Sequence, residues 1–249
     1  MTSDPPPLDP REVRFLPTDF EKFHERIQRD PEFNDARLEI RRKLDAIGKH
    51  LVKALATKEL ELVSRASLHH PYRFNAFRVA SQWVYLSRGE KERKAIVKHL
   101  GADLGKDLDQ NYVHTILVLE IAEKGLQIAL RIHQAAWWDG ENLKRNLKIE
   151  AKRDELAAAL RPLAGYGFRI GDNRRVRPCA EIEGRDLAEA MGYYTPGDQW
   201  LHVERVISRG DPFVSEPGLL ERLEAEFRAL LPAYHLMRWS KQNDRLFGG

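Results

Sequence analysis

Hydrophobic and polar positions alternate most clearly between Tyr112 and His133, and this stretch organises the rest of the chain. Leu126, Ile128, Leu130 and Ile132 alternate with Gln127, Ala129, Arg131 and His133, the period of a strand with one buried face. The preceding strand, Tyr112–Ala122, is apolar on both faces at Ile116–Leu119, which predicts a central position in a sheet. A two- or four-residue loop around Glu123-Lys124 sets Ile121 opposite Leu126, Leu117 opposite Leu130 and His114 opposite His133. A three-residue loop with Gly125 in the left-handed position is also good turn chemistry, but it slips the register by one and parts the two histidines. The hydrophobic pattern favours the first register, while the turn sequence tolerates both.

Helical periods flank the hairpin. Ile40, Leu44, Ile47, Leu51 and Leu55 form one stripe opposite Arg41, Arg42, Lys49 and Lys53, which predicts an amphipathic helix from Asn34 or Asp35 to about Leu55. The chain from Glu59 to Ser87 reads as strands interrupted at Pro71, and Glu90–Leu100 reads as a short helix stopped by Gly101. Beyond Trp137-Trp138, Asp139 is a good helix N-cap. Leu143 and Leu147, then Leu156, Leu160 and Leu163, predict one long helix or two abutting ones. Tyr166–Ile170 and Trp200–Ser208 read as strands, the first ending in a turn at Gly171-Asp172-Asn173. A polar helix is expected around Arg185–Met191. The strongest stripe, Leu219 to Leu231, follows Pro217 at a first helical position and should kink or end at Pro232. Together these elements predict an α+β fold: a single domain over 15–249, with the central hairpin 112–133 in an antiparallel sheet covered by amphipathic helices. Residues 1–14, rich in proline, are expected as a disordered tail.

Composition narrows the function classes. A net charge of +3 over 249 residues is too small for a dedicated nucleic-acid binder. The one cysteine, Cys179, permits no internal disulfide and fits a reducing compartment. No apolar run nears the roughly 20 residues that span a bilayer, and Met1–Pro10 lacks a signal-peptide core. The expectation is a soluble, cytoplasmic protein with no membrane partner.

The candidate chemistry lies in three clusters. In the favoured register His114 and His133 share a sheet face with Arg131 and Glu120. Two imidazoles and a carboxylate could hold a metal or act as an acid–base pair, yet no third ligand has suitable spacing. Trp137 and Trp138 could wall a pocket or stack on a base. His69, His70 and Arg73, with Tyr72, mix cations and aromatics as phosphate sites do. Asp139, Glu150 and Lys152 imitate a nuclease set, but a helix through Leu147–Leu163 turns Glu150 and Lys152 about 200° apart. Arg174, Arg175 and Arg177 read as a solvated charge run, and Cys179 as a poor nucleophile. No cofactor fingerprint is present. The leading expectation is a binding or accessory protein presenting a His/Arg/aromatic sheet face to an anionic ligand, nucleic acid or protein partner. A metal-dependent hydrolase using His114 and His133, and a structural subunit of an assembly, are the alternatives.

Phe15-Leu16-Pro17-Thr18-Asp19-Phe20, Arg42–Gly48, Trp83-Val84-Tyr85-Leu86 with Arg88-Gly89, and Leu231-Pro232-Ala233-Tyr234 occur in an order that resembles the YktB-like family of uncharacterised bacterial proteins. The resemblance implies a single α+β domain and brings no activity or functional residue. The segment Arg174–Pro196 has no counterpart in it.

Overall fold

A computed structural model describes residues 8–101, 113–171 and 175–248. The 1–7 part of the expected tail, the connection around 102–111, Tyr112, and Asp172, Asn173 and Arg174 lie outside the described residues.

The strands are β1 (Leu62–Ala66), β2 (Ser81–Arg88), β3 (Thr115–Ala122), β4 (Gly125–Ile132), β5 (Gly167–Ile170), β6 (Arg177–Pro178) and β7 (Leu201–Ser208). They form one antiparallel sheet in the order β1-β2-β3-β4-β7-β5-β6, which puts the hairpin at its centre. The helices are α1 (Pro17–Glu21), α2 (Asn34–Leu55), α3 (Glu90–Leu100), α4 (Trp137–Asn146), α5 (Glu150–Leu160), α6 (Gly184–Tyr193), α7 (Pro212–Ser215) and α8 (Leu219–Met237). The α+β expectation therefore holds. The expected single domain divides by its contacts into two compact units, 1–86, 118–128 and 206–226 against 87–117, 129–205 and 227–249, and the division passes through strands of the shared sheet.

The hairpin adopts the favoured register. Its loop is the pair Glu123-Lys124, and the His133 N–H donates to the His114 carbonyl at 3.1 Å, so the two histidines face each other across the ribbon. Gly125 is a strand residue rather than a left-handed turn residue. A Cβ there would lie 2.0 Å from the Ile207 carbonyl oxygen, so glycine is needed for the close approach to β7.

In the first unit α2 packs on β1, and its expected stripe is fully buried from Ile40 to Leu55. Gly48 lets this happen, since a Cβ would come within 2.5 Å of Val84 Cγ2. Arg37, also fully buried, donates to the carbonyls of Lys22, Asp30 and Ile27, tying the N-terminal segment to α2. Residues 10–12 form a 3-10 turn and Val13 is buried.

Three local expectations are corrected. Asp139 is not an N-cap: α4 begins two residues earlier, so Trp137 and Trp138 open the helix and Asp139 sits in its first turn, fully buried. Proline opens α7 at Pro212, whereas Pro217 lies in the turn before α8. Helix α8 continues through Pro232, because Ala233, Tyr234 and Met237 beyond it are completely buried and their packing outweighs one missing backbone bond.

Candidate functional site

In the second unit one strand face gathers Arg131 and His133, two of the polar residues singled out by the sequence, with others that were not. Strand parity decides which they are: Arg131 and His133 follow β4 on one side, while Ile132 and Leu130 turn to the core. On β7, Leu201 and Val203 are fully buried, so Trp200, His202 and Glu204 project to the opposite side. The register pairs Arg169 of β5 with His202, adding a second arginine to that face.

Glu204 is the hub. Arg169 Nε donates to its Oε1 at 2.7 Å, Arg131 Nη2 lies 3.7 Å from Oε2, and His202 Nδ1 lies 3.3 Å from the same oxygen. The Arg169 Nη1 also holds the Gly171 carbonyl at 2.5 Å, which fixes that guanidinium across the end of β5. Burial alone would raise the Glu204 carboxyl, but His202 and the two arginines overturn this and take it down to about 2. The His202 imidazole goes the other way: burial lowers it against the pull of Glu204, and the arginines add to the lowering.

Beside this hub lies a ledge of rings. The His133 and Trp200 rings are 4.3 Å apart, and Trp200 stacks on His202 at 5.9 Å with 28° between planes. The Ala135 N–H donates to His133 Nδ1, fixing the tautomer with its proton on Nε2, and burial lowers this imidazole to about 4. Trp137 and Trp200 are half-buried, so part of the ledge remains open to solvent.

His114 behaves differently from its partner. It is 2% exposed, stands edge-on to Trp138 at 6.1 Å, and finds no hydrogen-bond partner for either ring nitrogen among the described residues. Burial, then Arg88 and Arg93, holds it neutral. Trp138 is equally buried, so the more accessible member of the tryptophan pair is the half-buried Trp137. Among the described residues no group of three or more His, Cys, Asp or Glu is placed to hold a metal ion, so the His114–His133 pair gathers no ligand set.

His69, His70 and Arg73 belong to the first unit. His69 is lowered by burial and then by His70 and Arg41, and its ring meets His70 at 4.8 Å. Arg73 lies over the rings of Tyr72 and Phe74.

The other sequence candidates are structural. Arg175 and Arg177 pair with Glu189, and Arg177 also reaches the Tyr193 hydroxyl at 2.8 Å, so these two arginines are matched by α6. Lys152 pairs with Glu155 along α5, and burial pushes the Cys179 thiol up to about 12. Sequence reasoning missed Arg169, Trp200, His202 and Glu204. The signal was present in the alternation of Trp200, His202 and Glu204 with Leu201 and Val203.

Comparison of the sequence with protein-family models and with curated proteins finds no match.

Proposed function

We propose that this chain is a ligand-binding protein whose β4–β7–β5 face seats a small anion carrying a planar ring, such as a nucleoside phosphate or an aromatic carboxylate. The observation that carries this reading is the convergence of Arg131, Arg169 and His202 on the single carboxylate of Glu204 beside a half-open ring ledge. Guanidinium groups present planar forks that match phosphate or carboxylate oxygens, while Trp200 and His133 offer faces for a ring. Because both histidines are held neutral near pH 7, they contribute hydrogen bonds rather than charge.

Calorimetric titration with adenosine monophosphate, inorganic phosphate and adenosine tests the reading. Adenosine monophosphate should bind more tightly than either fragment, and more weakly as salt rises. Arg169→Gln and Trp200→Ala should each weaken binding by roughly tenfold or more, the loss of one charge-assisted contact or one stacked ring. Equal, weak heats from all three probes, unchanged in both variants, would remove the support for this face as a site.

A further inference from the structure

The turn between β1 and β2 in the first unit ends in three aromatic side chains left in water: Tyr72 is 41% exposed, Phe74 73% and Phe77 61%. Apolar rings of this size are normally withdrawn from solvent, and an adjacent trio marks a contact surface. The turn is not slack. The Tyr72 N–H donates to Asn75 Oδ1 at 2.7 Å and Asn75 Nδ2 to the His70 carbonyl at 2.9 Å. The Phe77 N–H reaches the Tyr72 carbonyl at 2.9 Å, and the Val79 N–H anchors to the Gln28 carbonyl at 2.8 Å. Ala76 (φ 52°) and Phe77 (φ 56°) occupy the left-handed region, a conformation that residues other than glycine, asparagine and aspartate avoid. Phe77 is thus held outward at a conformational cost and stays mostly exposed.

Two further features indicate the partner. The Arg73 guanidinium lies 4.8 Å from the Phe74 ring centroid and 5.7 Å from that of Tyr72, so three planar groups stand side by side. The chain from Leu62 to Gly89 contains four arginines and two histidines but no aspartate or glutamate. One of the arginines, Arg88, is buried, whereas Arg65, Arg73 and Arg78 are exposed. From α2, Asp35 and Arg41 act on His69 in opposite senses. The net charge of +3 therefore conceals a local stretch whose own charged side chains are all basic. A partner that presents repeated negative charges and free flat faces matches this surface.

We propose that this aromatic turn is a stacking platform for single-stranded nucleic acid. Bases in a duplex have their faces occupied, so stacking selects the single strand, while the arginines supply phosphate attraction. Fluorescence anisotropy of labelled 12-mer oligouridine and oligothymidine, titrated with the full chain at low salt, provides the test. Both should bind, with affinity falling as salt rises and a matched duplex binding more weakly. Phe74→Ala and Phe77→Ala change only exposed side chains, so circular dichroism should match the unaltered protein. Each should reduce affinity roughly 5- to 100-fold, the range for one stacked base. Arg73→Ala should also flatten the dependence of log K on log salt by up to about one unit. Three results would overturn the proposal: no anisotropy change at protein concentrations near 100 μM, binding undiminished in the F74A/F77A double variant, or a duplex bound as well as the single strand. Co-sedimentation with phosphatidylserine vesicles in the absence of oligonucleotide binding would reassign the turn to a membrane surface and equally refute it.

Discussion

Replacing Asp139 with alanine gives the largest effect on stability that the structure allows to be worked out. Its carboxylate is fully buried and accepts five hydrogen bonds: two from Arg88 Nη2 at 2.7 Å each, two from the Thr115 N–H and Oγ1 at 2.8 Å each, and one from the Trp239 N–H at 2.8 Å. Arg88 is also completely buried, and its other donor contact in this cluster is to the Trp239 carbonyl at 3.1 Å. Asp139→Ala leaves that guanidinium without its counter-charge, a defect worth about 3–5 kcal/mol in buried pairs. Two orphaned backbone N–H groups add about 1–3 kcal/mol each before relaxation, and these contributions overlap. The expected loss is about 5 kcal/mol, a third or more of the roughly 5–15 kcal/mol that holds a typical protein folded. Urea denaturation followed by tryptophan fluorescence measures it. Thr115→Val removes only the hydroxyl donor and should cost about 1–2 kcal/mol, which keeps the test readable if the alanine variant does not fold. An Asp139→Ala protein within about 1 kcal/mol of the parent would refute the reasoning, because the carboxylate could not then be the node on which Arg88, β3 and the Trp239 segment converge.

Other expected outcomes follow from the same geometry. Gly125→Ala should destabilise by about 3 kcal/mol in thermal or chemical denaturation, since its Cβ meets the Ile207 carbonyl rather than a side chain that can move. His133 titrates near 4 when folded and near 6.5 when unfolded, so the unfolded state binds its proton first as acid is added. Its contribution is complete above about pH 6.5 and is lost as pH falls toward 4, and His133→Asn should flatten the melting temperature over that window. Glu204, held near 2 against an ordinary 4.5, contributes above pH 4.5 and loses that contribution toward pH 2. Glu204→Gln should therefore remove the lower part of the acid transition.

The fold was largely legible because it rests on periodicity. The α2 stripe from Ile40 to Leu55 and the Leu126–Ile132 alternation each fix a face, and a one-residue slip would have put the whole hydrophobic set of β4 into water. What was not legible depends on contacts distant in sequence. Asp139 had the composition of an N-cap, and nothing near it revealed that Arg88, Thr115 and Trp239 would surround it. The passage of α8 through Pro232 is decided by the burial of Tyr234 and Met237, which local propensity does not contain. The site was legible by half. Arg131 and His133 were visible within one strand, but their partners arrive from β5 and β7, and the pairing of Arg169 with His202 is a property of strand order. The two histidines of the hairpin look alike in sequence and face each other as expected, yet burial separates them: His114 is sealed and His133 lies at the open ledge.

Two of the arginine–carboxylate clusters in the second unit, those at Asp139 and Glu204, differ in exposure and saturation. At Asp139 both oxygens are engaged at 2.7–2.8 Å and the pair has no exposure, so binding anything there would require breaking bonds that the fold depends on. At Glu204 only the Arg169 contact is short. Arg131 and His202 stand at 3.7 and 3.3 Å, and the side chains keep between 11% and 24% of their exposure. On the proposed reading, an anion at the second cluster would meet guanidinium groups in a partly exposed setting and add a charge-assisted contact to them. An anion that took Arg88 from the first cluster would strand a buried carboxylate. Of the two, the Glu204 face is the one at which the proposed ligand would not have to break the bonds of a fully buried, saturated carboxylate, which is why the proposal is made for that face.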